Sequence, residues 1–338
     1  MSEKNKLEYG AYQVVNNCLR TKSTDRVCII TDKITVNLCE VMKNEFLKVT
    51  DNVKLFLMED HGQRDETGAN PIKFPEEIAT YLKTCQVSVY AARGLKGELP
   101  TFRTPMTKIT DECNIRHGHM PNLNQLLMET GMNADYAQIK ENNLKIMKFV
   151  EGAKTAKVTT VAGTNIDVTF NPEWKWFNCD GNIQPGHWSN LPDGEVFTCA
   201  YDINGTLVVD GVLGDFMNAK YGVISETPVT FTFKDGRVES FSCPNKDIEN
   251  DIKEYITIDE NANRVGEFAI GTNLGLERLV GNLLQDEKFP GIHVALGHGY
   301  PEKTGSDWDS DAHLDMVVTK TTVEIDGKKI MEKGIFLV

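Results

Sequence analysis

Between Asp25 and Thr101 the sequence alternates between short apolar runs and segments with helical spacing, and this alternation restricts the possible fold more than any other feature. Strands separated by helices form βαβ units, whose strands lie parallel in one sheet. The predicted elements are, in order, a strand in D-R-V-C-I-I-T-D, a helix from Thr35 to Lys48, a strand in N-V-K-L-F-L-M-E, a helix in F-P-E-E-I-A-T-Y-L-K and a strand in Q-V-S-V-Y-A-A-R.

No G-x-G-x-x-G follows the first predicted strand, so the parallel sheet carries no dinucleotide-binding fingerprint. The next segment, residues 104–152, is predicted to be largely helical, with apolar stripes suited to core packing. These stripes consist of Leu123, Leu126, Leu127 and Met128, and of Ile139, Leu144, Ile146 and Met147.

The pattern changes after about Lys154, where alternating apolar and polar residues predict antiparallel strands. Asp235-Gly236 and Asp326-Gly327 each stand between two such strands and predict hairpin turns. One helix is predicted between them, from Leu274 to Leu284. We therefore expect an α/β domain with a mostly parallel sheet over residues 1–153, followed by an α+β domain rich in antiparallel strands over residues 154–338.

Composition narrows the classes of function. The 338 residues carry a net charge of −13 and show no concentrated basic patch, which argues against nucleic-acid binding. No apolar run approaches the length of a membrane span and no signal peptide is apparent, so we expect a cytoplasmic protein with no membrane partner. The eight cysteines are scattered without a C-x-x-C pair, and we expect them to be reduced core residues rather than zinc ligands.

Several ionisable residues interrupt apolar strands in the second half of the chain. In A-H-L-D-M-V-V, His313 and Asp315 are two residues apart and therefore point to the same face of a strand. Glu267 and His293 lie within other apolar strands, and Glu195 stands at the start of one. Each of these residues alone has an ordinary explanation, such as a buried histidine bonded to a carbonyl or an exposed glutamate.

Together, two glutamates, two histidines and one aspartate form a nitrogen-and-oxygen ligand set that suits zinc, cobalt, manganese or iron. Five ligands exceed the needs of one tetrahedral zinc. They suit two ions that share a bridging carboxylate and a bridging water.

The ordered motifs carry a family resemblance. G-E-V-F-T, G-E-F-A-I-G-T-N, I-H-V-A-L-G with the tyrosine that follows it, and A-H-L-D resemble the aminopeptidase T/aminopeptidase S family of metallo-aminopeptidases, the thermophilic-type leucyl aminopeptidases. The resemblance implies an α/β amino-terminal domain, a separate metal-binding catalytic domain, two divalent ions (Zn, Co or Mn) and a homodimer or higher homo-oligomer that acts on peptides. It assigns the metals to Glu195, Glu267, His293, His313 and Asp315. It also assigns Tyr300, beside the metals, and Glu195 to catalysis.

Two other interpretations stay open. A related branch of the fold resembles dihydroxypyridine dioxygenases, which open aromatic rings with one Fe(II), and His293, His313 and Asp315 would supply two histidines and one carboxylate for such an iron. Glu267 argues against this branch, in which the resemblance implies a histidine at that place. A metal-stabilised scaffold protein without turnover is the third interpretation.

Four further histidines and one tryptophan could belong to a substrate or proton-transfer site or to ordinary loops: His117, His119, His187, Trp188 and His298.

Overall fold

The computed structural model describes residues 5–338, which divide into two compact units. The first unit extends to Tyr136 and also includes Gly181–Asp193, whereas the second comprises Ala137–Asp180 and Gly194–Val338. The boundary expected between residues 153 and 154 differs from this division at two places. The helix Tyr136–Val150 places apolar side chains in the core of the second unit, and a strand within residues 181–193 joins the sheet of the first.

The strands are short in the first part of the chain and longest around residues 202–209, 265–271, 291–297 and 313–319. In chain order they are β1 (Val27–Thr31), β2 (Val53–Leu57), β3 (Val87–Ala91), β4 (Arg116–His119), β5 (Thr155–Thr159), β6 (Asn165–Thr169), β7 (Phe177–Cys179), β8 (His187–Asn190), β9 (Glu195–Thr198), β10 (Asp202–Val209), β11 (Val229–Lys234), β12 (Arg237–Ser242), β13 (Val265–Gly271), β14 (Gly291–Gly297), β15 (His313–Thr319), β16 (Thr322–Ile325), β17 (Lys328–Glu332) and β18 (Ile335–Phe336).

The α-helices are α1 (Lys6–Tyr12), α2 (Val36–Phe46), α3 (Glu76–Leu82), α4 (Thr104–Glu112), α5 (Gln125–Glu129), α6 (Tyr136–Val150), α7 (Asp215–Tyr221), α8 (Lys246–Tyr255), α9 (Leu283–Asp286) and α10 (Pro301–Thr304). Short π-helical turns cover Gln13–Cys18 and Leu99–Arg103, and 3₁₀ turns cover Met58–Asp60 and Gly131–Asn133. Within residues 5–338, every helix is too short or too polar to cross a lipid bilayer.

The first unit contains a parallel sheet with the strand order β2-β1-β3-β4-β8. This sheet confirms the predicted α/β fold, since β1, α2, β2, α3 and β3 follow one another as the sequence pattern predicts. The prediction of a largely helical segment over residues 104–152 is wrong at R-H-G-H, because Arg116–His119 form the buried strand β4. The strand was not predicted because its residues are polar. Its side chains can be buried because they form hydrogen bonds with neighbouring side chains.

The second unit contains two antiparallel sheets around one apolar core, as predicted for an α+β domain. The larger sheet has the order β12-β11-β10-β6-β5-β16-β17-β18, and the smaller has the order β15-β14-β13-β9-β7. Both predicted hairpin turns are present, and Asp235, Gly236, Asp326 and Gly327 all have the positive φ that such turns require.

The helix predicted from Leu274 to Leu284 is wrong. These residues form a loop up to Asn282, and the helix that follows is only the short α9. Gly281 has a positive φ, and the Asp286 carboxylate accepts hydrogen bonds from the N–H groups of Val280, Gly281 and Asn282. These bonds satisfy the backbone N–H groups in a non-helical conformation. The loop therefore forms although its apolar residues have helical spacing. Two helices that the sequence pattern did not predict, α7 and α8, also lie in this unit.

The eight cysteines are all free thiols, and six of them are buried as predicted, whereas Cys113 and Cys179 are partly exposed.

Candidate metal centre

Four adjacent strands of the smaller sheet carry the five predicted metal ligands. Glu195 starts β9, Glu267 lies on β13, His293 is in the middle of β14, and His313 and Asp315 begin β15. The sheet order β15-β14-β13-β9 makes these strands consecutive neighbours. Residues that are far apart in the sequence therefore reach one face of one sheet.

Small residues between the predicted ligands leave room above this face. In the strand pairing, Glu267 lies opposite Ala295, which in turn lies opposite Asp315. His293 pairs with Ala269, and Glu195 pairs with Gly271.

A bulge in β13 places Glu267 on this face. The register with β14 shifts between Val265 and Glu267. Gly266 occupies the bulge, where a Cβ atom would lie 2.5 Å from the carbonyl oxygen of Gly297. The bulge therefore requires a glycine, and it sets the alternation of all following residues of the strand.

Apart from Thr198, the opposite face of the same strands is apolar and packs into the core of the second unit. Its side chains alternate with the ligand positions, as the two-residue period of a strand requires. They include Val196, Phe268, Ile270, Ile292, Val294, Leu296, Leu314, Met316 and Val318. This core fixes the strands that position the polar residues.

The first group of possible ligand atoms is formed by Glu195, Glu267 and His293, which are all buried. Nε2 of His293 lies 3.1 Å from Oε1 of Glu267 and 3.6 Å from Oε2 of Glu195. One ligand atom of each residue lies within 4.8 Å of the others. This spacing allows one cation to be bound by all three residues.

The second group is formed by Glu267, His313 and Asp315. Nε2 of His313 lies 3.6 Å from Oε2 of Glu267 and 3.3 Å from Oδ1 of Asp315. Glu267 thus contributes one oxygen to each group. A carboxylate placed in this way is suited to bridging two cations.

The charges within these two ligand groups strongly shift the pKa values of His293, His313 and Asp315. Burial opposes the charged form of His293, but the hydrogen bond with Glu267 and the nearby carboxylates raise its pKa to about 9. Burial likewise opposes the charged form of His313, whereas the charge of Asp315 raises its pKa to about 10. Burial also disfavours the charged form of Asp315, but His313 lowers the pKa of that carboxyl to about 2. Protons on the imidazoles thus balance the carboxylates, and divalent ions would replace these protons.

Two residues at this site were missed in the sequence, Glu287 and Lys288. The Nζ atom of Lys288 lies 2.5 Å from Oε1 of Glu195 and 2.7 Å from Oε1 of Glu287, and the lysine is only 1% exposed. Glu287 forms a third group of possible ligands with His293 and Asp315. Burial raises the pKa of Glu287 to about 8, against the opposing charge of Lys288. In the sequence, the polar run D-E-K that begins at the last residue of α9 is typical of an exposed helix end, so no pattern indicated these residues.

Tyr300 lies beside the second group. Its hydroxyl is 3.4 Å from Nε2 of His313, and its ring packs against those of Phe197 and His298. The residue has a φ of 51°, in the left-handed region that is uncommon for a bulky side chain. Burial and then the charges of Glu267 and Asp315 raise its pKa well above the ordinary value, so the hydroxyl keeps its proton at neutral pH.

The side chains fit the divalent ions that the sequence predicts. The set consists of carboxylate oxygens and imidazole nitrogens, which are ligands of zinc, cobalt, manganese and iron. Among residues 5–338, Oε2 of Glu195 is buried without a hydrogen-bond partner, although its other oxygen pairs with Lys288. A cation would satisfy this oxygen, since a buried carboxylate oxygen without a partner is costly.

The remaining histidines of interest have different surroundings. His117 and His119 are buried on β4 of the first unit, and His187 is exposed at the start of β8 in the same unit. Trp188, also on β8, packs near the ring of His119. His298 belongs to the second unit, where its Nδ1 bonds to the carboxylate of Asp309 and its ring lies 4.6 Å from that of Tyr300.

Comparison with known proteins gives one family and two structural neighbours. The thermophilic metalloprotease (M29) family matches residues 125–336. Wild-type AmpT from Thermus thermophilus has a similar fold, with a TM-score of 0.72 and 16% sequence identity over 98% of this chain and 99% of that one. The 2,5-dihydroxypyridine dioxygenase from Pseudomonas putida KT2440 is also similar, with a TM-score of 0.70 and 15% identity over 99% of this chain and 98% of that one. No curated protein matches the sequence.

Proposed function

The chain belongs to the thermophilic metalloprotease (M29) family, and from that premise we propose that it is an aminopeptidase that uses two divalent ions to hydrolyse the amino-terminal peptide bond. The observation that carries the proposal is the position of Glu267, whose two oxygens face the separate groups around His293 and His313. A single shared carboxylate between two sets of ligands is the arrangement expected of a dinuclear hydrolase.

The proposed centre has five protein ligands: Glu195, Glu267, His293, His313 and Asp315. When bound, divalent ions supply a Lewis acid for the scissile carbonyl and a water of lowered pKa. Other residues of the chain position these ligands. Lys288 holds one oxygen of Glu195 and leaves the other directed toward His293.

Tyr300 supplies a hydrogen-bond donor next to the proposed metals. Because its hydroxyl stays protonated, it can donate to the oxyanion of a tetrahedral intermediate. A carboxylate such as Glu195 can accept a proton from the attacking water, and the free α-amine of a peptide can bind a metal ion or an acidic side chain. These roles explain why cleavage would be confined to the first residue of a substrate.

The proposal is tested by metal analysis and by hydrolysis of matched peptides. Protein purified without chelator should contain about two zinc, cobalt or manganese ions per chain, as a dinuclear mechanism requires. It should cleave a peptide with a free amino terminus and leave the N-acetylated form of that peptide intact. Glu267→Gln should lose both metal and activity, whereas Glu239→Gln, on the exposed strand β12, should keep both. Equal cleavage of the acetylated peptide would refute an aminopeptidase.

A mononuclear Fe(II) dioxygenase is the second candidate. His293, His313 and Asp315 supply the two imidazoles and one carboxylate that suit such an iron, and the fold resembles a dihydroxypyridine dioxygenase over nearly the whole chain. Glu267 opposes this candidate because it adds a carboxylate between the two imidazoles. One iron per chain in protein purified without oxygen, with oxygen consumption on a dihydroxypyridine, would favour it over the peptidase.

A further inference from the structure

One buried ammonium group holds two carboxylates of the candidate metal centre. Nζ of Lys288 lies 2.5 Å from Oε1 of Glu195 and 2.7 Å from Oε1 of Glu287, and the lysine is buried. Lysine is almost never fully buried unless it is paired, because removing its charge from water is costly. A buried ion pair often adds no stability over apolar side chains of the same size. The position of Lys288 therefore points to a role at the centre itself.

The backbone fixes this ammonium group beside β9 and β13. The N–H of Lys288 donates to the carbonyl of Gln285, and its own carbonyl accepts from the N–H of Asn273 at 3.1 Å. Gly271 pairs with Glu195 across the two strands, and a Cβ atom on Gly271 would lie 2.9 Å from the carbonyl oxygen of Lys288. A glycine is required for this close approach, which brings the lysine to Glu195.

The two oxygens of Glu195 have different surroundings. Oε1 accepts a hydrogen bond from Lys288, whereas Oε2 lies 3.6 Å from Nε2 of His293 and has no hydrogen-bond partner among residues 5–338. A divalent ion bound by Glu195, Glu267 and His293 can therefore use Oε2. At Oε1 the ion would stand beside the ammonium group, and two positive charges that share one oxygen repel each other strongly in a buried site.

We propose that Lys288 is a positioning residue that restricts Glu195 to binding a divalent ion through one oxygen, and so keeps a ligand position on that ion open for the substrate. A carboxylate can bind a cation through one oxygen or through both, and the second oxygen would occupy a further position. Catalytic metal sites keep an open position, whereas structural sites are closed. This inference rests on the proposed function, since an open position serves a substrate only if the ion takes part in hydrolysis.

The test compares the cobalt-loaded parent with cobalt-loaded Lys288→Met, by visible absorption and by titration with leucine hydroxamate, whose hydroxamate group binds metal ions. Without the ammonium group, Glu195 should bind through both oxygens. The absorption per bound cobalt should then fall, as it does when the coordination number of Co(II) rises. Hydroxamate binding should weaken by about 10–100-fold, the range found for residues that orient metal ligands. Cobalt should be bound at least as tightly as in the parent, because the centre gains a ligand oxygen and loses a positive charge.

The affinity for cobalt separates positioning from simple stabilisation. If Lys288 only stabilised the centre, its removal would loosen the ligands and weaken cobalt binding. Two variants serve as matched controls. Lys220→Met removes another lysine ion pair of the same unit, and Val294→Ala lowers the free energy of unfolding from the core face of β14. Both should keep the absorption and the hydroxamate affinity of the parent.

A crystal structure of the cobalt-loaded parent covers the case in which Lys288→Met does not fold, as judged by circular dichroism. It should show Glu195 bound to cobalt through Oε2 alone, with Oε1 still at hydrogen-bond distance from Lys288. Binding through both oxygens in the parent would overturn the inference. So would weaker cobalt binding, unchanged absorption or unchanged hydroxamate affinity in folded Lys288→Met.

These outcomes are distinct from failure of the proposed function. A parent that cleaves peptides while Lys288→Met keeps the parent's absorption and hydroxamate affinity would refute the positioning role and leave the peptidase standing. A parent that binds cobalt and hydroxamate but cleaves no peptide would refute the peptidase, while the absorption still decides how Glu195 binds. A parent that binds no cobalt would refute both.

Discussion

The side-chain nitrogen of Lys288 lies 2.5 Å from an oxygen of Glu195, and both residues are buried at the candidate metal centre. Lys288→Met should destabilise the metal-free chain by about 3–5 kcal/mol, because it leaves buried carboxylates without their cation. Urea unfolding in the presence of chelator measures this loss. Lys329→Met, which removes a surface ion pair with Glu332, should have no measurable effect. A loss no larger than that of the control would show that the lysine does not stabilise the centre.

The space between Glu267 and Asp315 depends on the small side chain of Ala295. Ala295→Leu should fill this space and reduce the metal bound per chain, while the fold is kept. Val294→Ala, one residue away on the core face, should do the opposite, keeping the metal while lowering the free energy of unfolding. Elemental analysis and urea unfolding of both variants give the comparison. Full metal content in Ala295→Leu would contradict the assigned ligand positions.

The hydroxyl of Tyr300 should matter for catalysis and not for metal binding. Tyr300→Phe is expected to lower kcat/KM by about 10²–10³, the effect of removing one oxyanion donor, with unchanged metal content. Tyr201→Phe alters an exposed tyrosine of the same unit and should retain full activity. If Tyr300→Phe is as active as the parent, the hydroxyl has no part in the reaction.

The pH dependence of stability should reveal the protons on the two imidazoles. The pKa values of His293 and His313 rise from about 6.5 in an unfolded chain to about 9 and 10, so their stabilisation is complete below about pH 6.5 and is lost as pH rises through 9 to 10. The pKa of Asp315 falls to about 2, so its contribution is present above about pH 4 and is lost as pH falls toward 2.

Chelated protein should therefore have its highest Tm between about pH 4 and pH 6.5 and should lose stability toward pH 10. The Tm of metal-loaded protein should fall less toward pH 10, since its imidazoles are already deprotonated. Thermal scans of both forms across this range provide the measurement. Parallel curves for the two forms would show that the histidines are not exchanging protons for metal.

The candidate ligands could be identified from the sequence because the alternation of the two faces of a strand, with a period of two residues, is a local property. His313 and Asp315 interrupt an apolar strand on one face, and the pattern alone indicates that they point together. The fold class was predictable for the same reason, and the family match confirms the predicted metallopeptidase family. The roles of the five proposed ligands stay predictions until metal is measured.

Other features depend on contacts that no local pattern encodes. Lys288 has the sequence context of a surface residue, and its burial depends on a pairing with Glu195, which lies 93 positions earlier in the chain. The strand Arg116–His119 is polar along its length, and its burial depends on hydrogen bonds to Ser88 and Arg103. The loop before α9 has helical periodicity, but Asp286 binds its backbone in another conformation.

The strands of the smaller sheet place the candidate ligands on one face and core side chains on the other. Removal of a single residue from β13, β14 or β15 would invert the downstream part of that strand, turning acids and imidazoles into the core and exposing Phe268, Val294 or Met316. Length changes during the divergence of such a chain must therefore fall in the loops between these strands. The spacing of the candidate ligands and the hydrophobic core therefore depend on the same strand register, which tolerates substitution far better than insertion or deletion.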